Sequence, residues 1–212
     1  MIEVIIADDH PLFRRGLRAS LEEHPDIRVA GEAGTGEETL TLLAVQPCNV
    51  LILDISFPDI SGIEVLKTVV GRKYACRVLI LSTYPEKQYA VRSLRAGALS
   101  YITKDSASKE LITAVRRVAE GRRYVSMNLA EQMASFLSKE ESGLPHEQLS
   151  DREYEIFRLL GKGLAVAQIA SQLSLSPATV YTYRSRISFK TGLTTPAEII
   201  RYVMEHGITS VG

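Results

Sequence analysis

Four side chains able to do acid, base or phosphate chemistry stand just beyond short apolar runs. Asp8 and Asp9 follow Ile2 to Ala7. Asp54 follows Val50-Leu51-Ile52-Leu53. Lys104 follows the run Leu99 to Ile102, and Ser82 closes the run Arg77 to Ser82. Carboxylates brought together repel one another, and a hard, oxygen-ligated cation such as Mg²⁺ relieves that repulsion. A hydroxyl and an ammonium facing such a cluster supply a donor and a charge clamp. With the metal, they are what a bound phosphoryl group needs.

That chemistry requires elements that deliver all five residues to one edge. An unbroken aliphatic run such as 50–53 fits a strand buried on both faces of a parallel sheet. A buried strand has no place for an unpaired carboxylate, so Asp54 belongs at its C-terminal end, where open α/β sheets hold their ligands. The pattern predicts strands at 2–7, 27–33, 50–53, 77–82 and 99–102. Helices are predicted from Pro11 to about Leu21, at 37–45, from Ser61 to about Val70, at 86–95 and at 106–120. Strands and helices that alternate over this length predict a doubly wound parallel sheet. With strand order 2-1-3-4-5, strands one and three are neighbours at the switch point, and Asp8, Asp9 and Asp54 converge.

The chain has 212 residues, 45% of them hydrophobic, with 25 basic against 25 acidic residues. One large or two small domains fit that length, and the balance excludes a uniformly basic coat while allowing a local basic face. Cys48 and Cys76 lack metal-ligand spacing and read as free buried thiols of a reducing compartment. No basic leader precedes the first strand, and no apolar run approaches the ~20 residues that cross a bilayer. The expectation is a cytoplasmic protein with no membrane partner.

Residues 1–121 form the predicted α/β domain. Residues 122–147 read as a linker, with one amphipathic helix predicted over 129–137. From 148 to 212 the periodicity is purely helical, predicting a separate module of four helices. Ser150 with Glu153 makes a capping box for the first. Ala165 to Leu173 is the second. Ser176 and Pro177 open the third, which runs to about Thr191. Thr195 and Pro196 open the fourth, to His206. Residues 165–190 therefore have the form of a helix-turn-helix. The third helix turns Val180 and Ile187 inward and presents Thr179, Tyr181, Thr182, Arg184, Ser185, Arg186 and Lys190 outward. Residues 150–212 hold seven Lys/Arg against five Asp/Glu, which is only mildly basic.

Residues 2–120 resemble a receiver domain of two-component signalling. The resemblance rests on Asp8-Asp9, Asp54 with Pro58 and Gly62, Ser82, Tyr101 and Lys104-Asp105. It implies that Asp54 is the phosphoacceptor. It implies a Mg²⁺ ion ligated by Asp9, Asp54 and the Ser56 carbonyl, with Asp8 in support. Ser82 and Lys104 would hold the phosphoryl group, and Tyr101 would turn inward on activation. Phe57 stands where that family commonly has Met and is expected to pack.

The words Leu149-Ser150-Asp151-Arg152-Glu153, Gln168-Ile169-Ala170 and Thr179 to Ile187 resemble the LuxR-type DNA-binding domain. Together the two halves resemble the NarL/FixJ class of response regulators. The implied protein is not an enzyme. It takes a phosphoryl group from a sensor histidine kinase, pairs as a homodimer and binds double-stranded promoter DNA, with RNA polymerase a further candidate partner. Tyr181 and Tyr183 stand where the class often has Lys and His.

Three other readings are testable against this one. An aspartyl phosphatase needs a second acid two residues past its nucleophile, and that position is Ser56. A phosphorylation-independent receiver expects a lost acid or lysine. A protein-binding helical module expects no salt-dependent affinity for DNA.

Overall fold

The computed structural model describes residues 1–84, 86–127, 129, 130 and 144–208. It divides into two compact units, Met1–Ser138 and Lys139–Gly212.

Among the described residues up to Ala119, five strands alternate with five helices. They are β1 (Ile2–Ala7), α1 (Pro11–Glu22), β2 (Ile27–Ala33), α2 (Gly36–Val45), β3 (Val50–Leu53), α3 (Gly62–Gly71), β4 (Arg77–Ser82), α4 (Glu86–Arg95), β5 (Ser100–Thr103) and α5 (Ala107–Ala119). The sheet is parallel throughout, in the order β2-β1-β3-β4-β5. This is the expected doubly wound fold, with β5 one residue later than its apolar run suggests. Burial explains the sequence pattern. Val4, Ile6, Val50, Ile52, Leu79 and Leu81 pack with Leu17 and Leu21 of α1 and Leu111, Val115 and Val118 of α5. The intervening Ile5, Leu51, Leu53 and Ile80 are equally buried. Alternate side chains leave a strand on opposite faces, so a strand covered on both faces is apolar at every position.

Polar side chains set the helix starts. Thr35 Oγ1 accepts the N–H of Glu38, and Ser61 Oγ that of Ile63. Beyond α5 the chain returns to the sheet, where Tyr124 N–H donates to the Leu99 carbonyl at 3.0 Å. Of the helix expected at 129–137, residues 129 and 130 are helical and 131–137 lie outside the described residues. Both cysteines are free thiols. Cys48 is buried as expected, but Cys76 is only half-buried, because it sits in the turn before β4 rather than within the strand.

The second unit opens with a 3₁₀ turn at Pro145–Gln148. Four helices follow: α6 (Asp151–Gly161), α7 (Val166–Gln172), α8 (Pro177–Thr191) and α9 (Pro196–Glu205). Ser150 and Glu153 form a reciprocal capping box on α6, as do Thr195 and Glu198 on α9. The core is Ile156, Phe157, Ile169, Val180, Ile187, Ile199 and Val203. α6 and α9 meet at Gly161, where a Cβ would stand 2.6 Å from both methyls of Val203. Gly161→Ala should therefore destabilise this unit by about 1–2 kcal/mol, the overpacking cost less the gain in helix propensity. Urea midpoints of the second unit test it, and Val203→Ala in the same background should recover part of the loss.

Candidate functional site: an acidic crevice and a helix-turn-helix

The parallel register brings the chemistry to one edge. Ala7 lies opposite Leu53, so Asp8 and Asp54 leave adjacent strands side by side. The Asp54 N–H donates to the Ala7 carbonyl at 2.8 Å, extending that ladder by one residue. Ser82 lies opposite Thr103, and the Lys104 N–H donates to the Ser82 carbonyl at 2.8 Å. Asp8, Asp54 and Ser82 are all buried.

The Lys104 ammonium spans the crevice. Its Nζ lies 2.5 Å from Asp8 Oδ2 and 2.7 Å from Asp54 Oδ2, with only 8% of the lysine side chain exposed. Burial raises the pKa of Asp54 above the ordinary carboxylate range. Lys104 opposes that shift and Asp8 adds to it. Burial pulls the other way on Lys104, but Asp54 and Asp8 outweigh it and hold the ammonium more firmly protonated. The second oxygen of Asp54, Oδ1, accepts the N–H groups of Ile55 at 2.6 Å and Ser56 at 3.3 Å. Gly62 holds this loop in place. Its N–H donates to the Ile55 carbonyl, and a Cβ there would stand 1.9 Å from the Asp54 carbonyl oxygen. No side chain fits that approach.

Asp9 is more open, with a third of its side chain exposed. Its Oδ1 is nonetheless buried and has no hydrogen-bond partner among the described residues. His10 Nδ1 lies 2.6 Å from that oxygen, without hydrogen-bond geometry. Asp8, Asp9, His10 and Asp54 each offer a ligand atom, all within 4.8 Å of one another. Three carboxylates against one ammonium leave the crevice short of positive charge. Clustered carboxylate oxygens, one of them buried and unsatisfied, fit a hard divalent cation.

Three flanking residues were not singled out from the sequence as part of this site. The His10 N–H donates to Asp8 Oδ1, Phe13 lies under the Lys104 ammonium with its ring centroid 4.6 Å away, and an Arg14 N–H donates to the Asp8 carbonyl. Their signal was their place in the first turn after Asp8-Asp9. Tyr101 is fully buried, and its hydroxyl donates to the Tyr84 carbonyl at 2.7 Å. Tyr84 in turn donates its N–H to Ser82 Oγ at 3.2 Å. Phe57 is buried, and Ser56 is half-buried.

In the second unit α7, a tight turn and α8 form a helix-turn-helix. Ser176 caps α8 by accepting the Thr179 N–H at 3.1 Å, with Pro177 in the first helical position. Val180, Ile187 and Thr191 face inward. Tyr181, Thr182, Ser185 and Arg186 are exposed, while Thr179 and Arg184 are half-buried. The Lys190 ammonium is already engaged, 2.6 Å from Glu153 Oε2. The same carboxylate accepts the Ser150 N–H at 2.7 Å. Burial would push Glu153 up, but Lys190 and the Ser150 donor hold it below its usual value.

Known proteins share both halves of this arrangement. Residues 4–116 match the family of response regulator receiver domains, and residues 147–203 match the LuxR family of bacterial regulatory proteins. The chain belongs to the LuxR-type response regulators. Response regulator UvrY of Escherichia coli K12 is 34% identical over 209 residues, spanning 98% of this chain and 96% of the relative. Response regulator GacA of Pseudomonas aeruginosa is 33% identical and spans 98% of both. Among solved structures, RcsB of Salmonella enterica serovar Typhimurium, bound to promoter rprA in the presence of the phosphomimetic BeF3⁻, is 25% identical. It superposes with a TM-score of 0.66 over 96% of this chain and 99% of its own. This response regulator is a transcription factor with a DNA-binding LuxR domain, and not an enzyme.

The acidic crevice generates a pH prediction for metal-free protein. An acid whose folded pKa is raised binds more protons when folded than when unfolded. Its ionisation therefore costs stability as pH climbs from the ordinary carboxylate range through the raised value. Asp54→Asn removes that cost. The variant should be the more stable of the two at neutral pH and lose the advantage as pH falls to the ordinary carboxylate range. Thermal melts from pH 3.5 to 8 in chelator, for both proteins, test this; a constant gap would overturn it.

Proposed function

We propose that Asp54 is the phosphoacceptor of this response regulator. The observation that carries the reading is the Lys104 ammonium, 2.5 Å from Asp8 and 2.7 Å from Asp54 at the C-terminal edge of the sheet. A carboxylate oxygen of Asp54 attacks the phosphorus of a phosphohistidine on a sensor kinase. The P–N bond breaks, and the imidazole leaves with a proton. Lys104 then pairs with the phosphoryl oxygens, and Ser82 donates its hydroxyl to them. Asp9, Asp54 and the Ser56 carbonyl would hold Mg²⁺, with Asp8 in support, and the ion would supply charge screening for the transferred group.

The aspartyl phosphate adds nearly two negative charges at the crevice. Ser82 and Lys104 move towards it. Tyr84 and Tyr101 follow, because Tyr84 bonds Ser82 and Tyr101 bonds Tyr84. Tyr101 is already inward, so on this reading phosphorylation holds that place rather than creating it. The face around β5 then favours pairing of two copies and promoter binding. On this reading residues 1–121 receive, 122–147 connect and 148–212 bind DNA. The protein works in the cytoplasm, and none of its described helices is long and apolar enough to cross a membrane. RNA polymerase is a further partner at the promoter.

For DNA, α8 enters the major groove, where Tyr181, Thr182 and Ser185 meet bases. Thr179, Arg184, Arg186 and Lys190 lie nearer phosphates. Lys190 reaches a phosphate only by releasing Glu153.

Two expected outcomes test the crevice. Asp54→Asn should take up no label from a small phosphodonor, and wild-type uptake by that variant would overturn the assignment. Asp9→Ala should abolish Mg²⁺ binding by calorimetry while circular dichroism stays unchanged; undiminished affinity would remove Asp9 from the ligands.

A further outcome tests the groove. Selection from random DNA should show that Thr182→Ala and Ser185→Ala alter the preferred sequence, at roughly 1–3 kcal/mol per lost base contact. Arg186→Ala should weaken binding to all sequences alike and reduce the salt slope by about one unit. Lys190→Ala should in addition lower the melting point of the second unit, because it strands the buried Glu153 carboxylate.

A further inference from the structure

Phe189 is the most exposed large apolar residue of the described chain, at 91%. It lies on α8, where Val180, Ile187 and Thr191 supply the core face. At about 100° per residue, Phe189 falls about 180° from Val180 and about 160° from Ile187 and Thr191. It points directly away from the core. By the same arithmetic it lies about 20° from Thr182 and about 40° from Ser185.

The stripe that it completes has a particular composition. Ala178, Tyr181, Thr182, Ser185 and Phe189 are all exposed, and none carries a charge. A helix face that meets only water is usually charged and polar. Here the charges stand on either side. Arg184 flanks one edge, and Arg186 and Lys190 flank the other. Uncharged centre and cationic margins match the major groove, which presents base edges between two rows of phosphates. Tyr181, 58% exposed, begins the apolar part of the stripe, and Phe189 ends it about 12 Å further along the helix.

We propose that Phe189 is a specificity-determining residue that packs on the C5 methyl of a thymine in the major groove. The proposal rests on the reading of α8 as the groove-entering helix. Thymine is the base that offers an apolar group there, and a phenyl ring has no hydrogen bond to give the others. Ser185 and Phe189 are separated by about 6 Å along the helix, close to two base-pair steps, so the thymine sits about two pairs beyond the base that Ser185 meets.

The experiment is a double-substitution cycle on the full chain. The site preferred by wild-type protein is first selected from random DNA. Each thymine is then replaced by deoxyuridine, which removes the methyl alone, and affinities are measured for wild type, Phe189→Ala and Phe189→Leu. At one thymine per half-site the loss of the methyl should weaken wild type about fourfold, the value of one buried methyl. Phe189→Ala should bind thymine and deoxyuridine there equally, and Phe189→Leu should keep part of the difference. Equal deoxyuridine penalties in all three proteins would overturn the proposal while leaving the groove reading intact. So would a Phe189→Ala protein whose DNA preference is unchanged but whose sedimentation shows altered self-association, since the ring then meets a second copy. Wild-type protein that shows no sequence preference at all would instead overturn the groove reading itself.

Discussion

One ammonium held between two buried carboxylates is the constraint on which the receiver unit depends. Asp8 and Asp54 are each nearly inaccessible to water, and either alone would be costly to ionise there. Lys104 makes their joint burial tolerable, and it can do so only from one place. β5 must run parallel to β1 and β3, so that its C-terminal end meets theirs. β4 must lie between β3 and β5, so that Ser82 reaches the same edge. The order β2-β1-β3-β4-β5 satisfies both conditions. The apolar strands supply the stability against which this polar edge is set. Lys104 still neutralises less charge than Asp8, Asp9 and Asp54 carry, and that deficit is of the kind a hard cation suits.

Backbone close to the crevice is fixed by contacts that leave little slack. Gly62 touches the Asp54 carbonyl region directly, so the start of α3 and the end of β3 form one rigid corner. On the far side of the same loop, the Asp59 carboxylate accepts the N–H groups of Gly36 and Glu37 at the start of α2. Burial disfavours the charged form of Asp59, but these donors outweigh it and hold its pKa low. The loop is thus pinned at Asp54, at Asp59 and at Gly62. On the proposed reading, a charge added at Asp54 meets a loop held at three points, and the hydrogen-bonded path through Ser82, Tyr84 and Tyr101 is the other polar route away from it.

What was legible in the chain was what its periodicities encode. Fully apolar runs such as 50–53 specify strands covered on both faces, and the acids that end them specify the edge. Caps at Ser61, Ser150, Ser176 and Thr195 are local, so they could be read from neighbours in sequence. The strand ends likewise placed Asp8, Asp54, Ser82 and Lys104 together. Other features depend on residues far apart. Lys190 and Glu153 are 37 positions apart, and helical period alone shows which side Lys190 occupies, not that a carboxylate waits there. Phe13 beneath Lys104 is of the same kind. Tyr101 bonds a backbone carbonyl, which no side-chain pattern announces. Cys76 sits beside an apolar run, and only the turn geometry leaves it half-exposed.

On the proposed reading of Asp54, the Lys190–Glu153 pair also bears on how its phosphorylation would reach DNA. Glu153 is fixed twice over, by the capping box at Ser150 and by Lys190, and so ties the C-terminal half of α8 to the first turn of α6. The N-terminal half of α8 is fixed by the Ser176 cap and by Val180 in the core. Both ends of the helix are therefore set by contacts inside the second unit. The outward stripe from Ala178 to Phe189 is formed without help from the receiver. On the proposed reading, phosphorylation does not have to build the DNA-reading face. It has only to change whether that face is reachable, or whether two of them are held at the spacing of a paired site. A coupling of that kind needs a differential of only a few kcal/mol between two arrangements of finished parts.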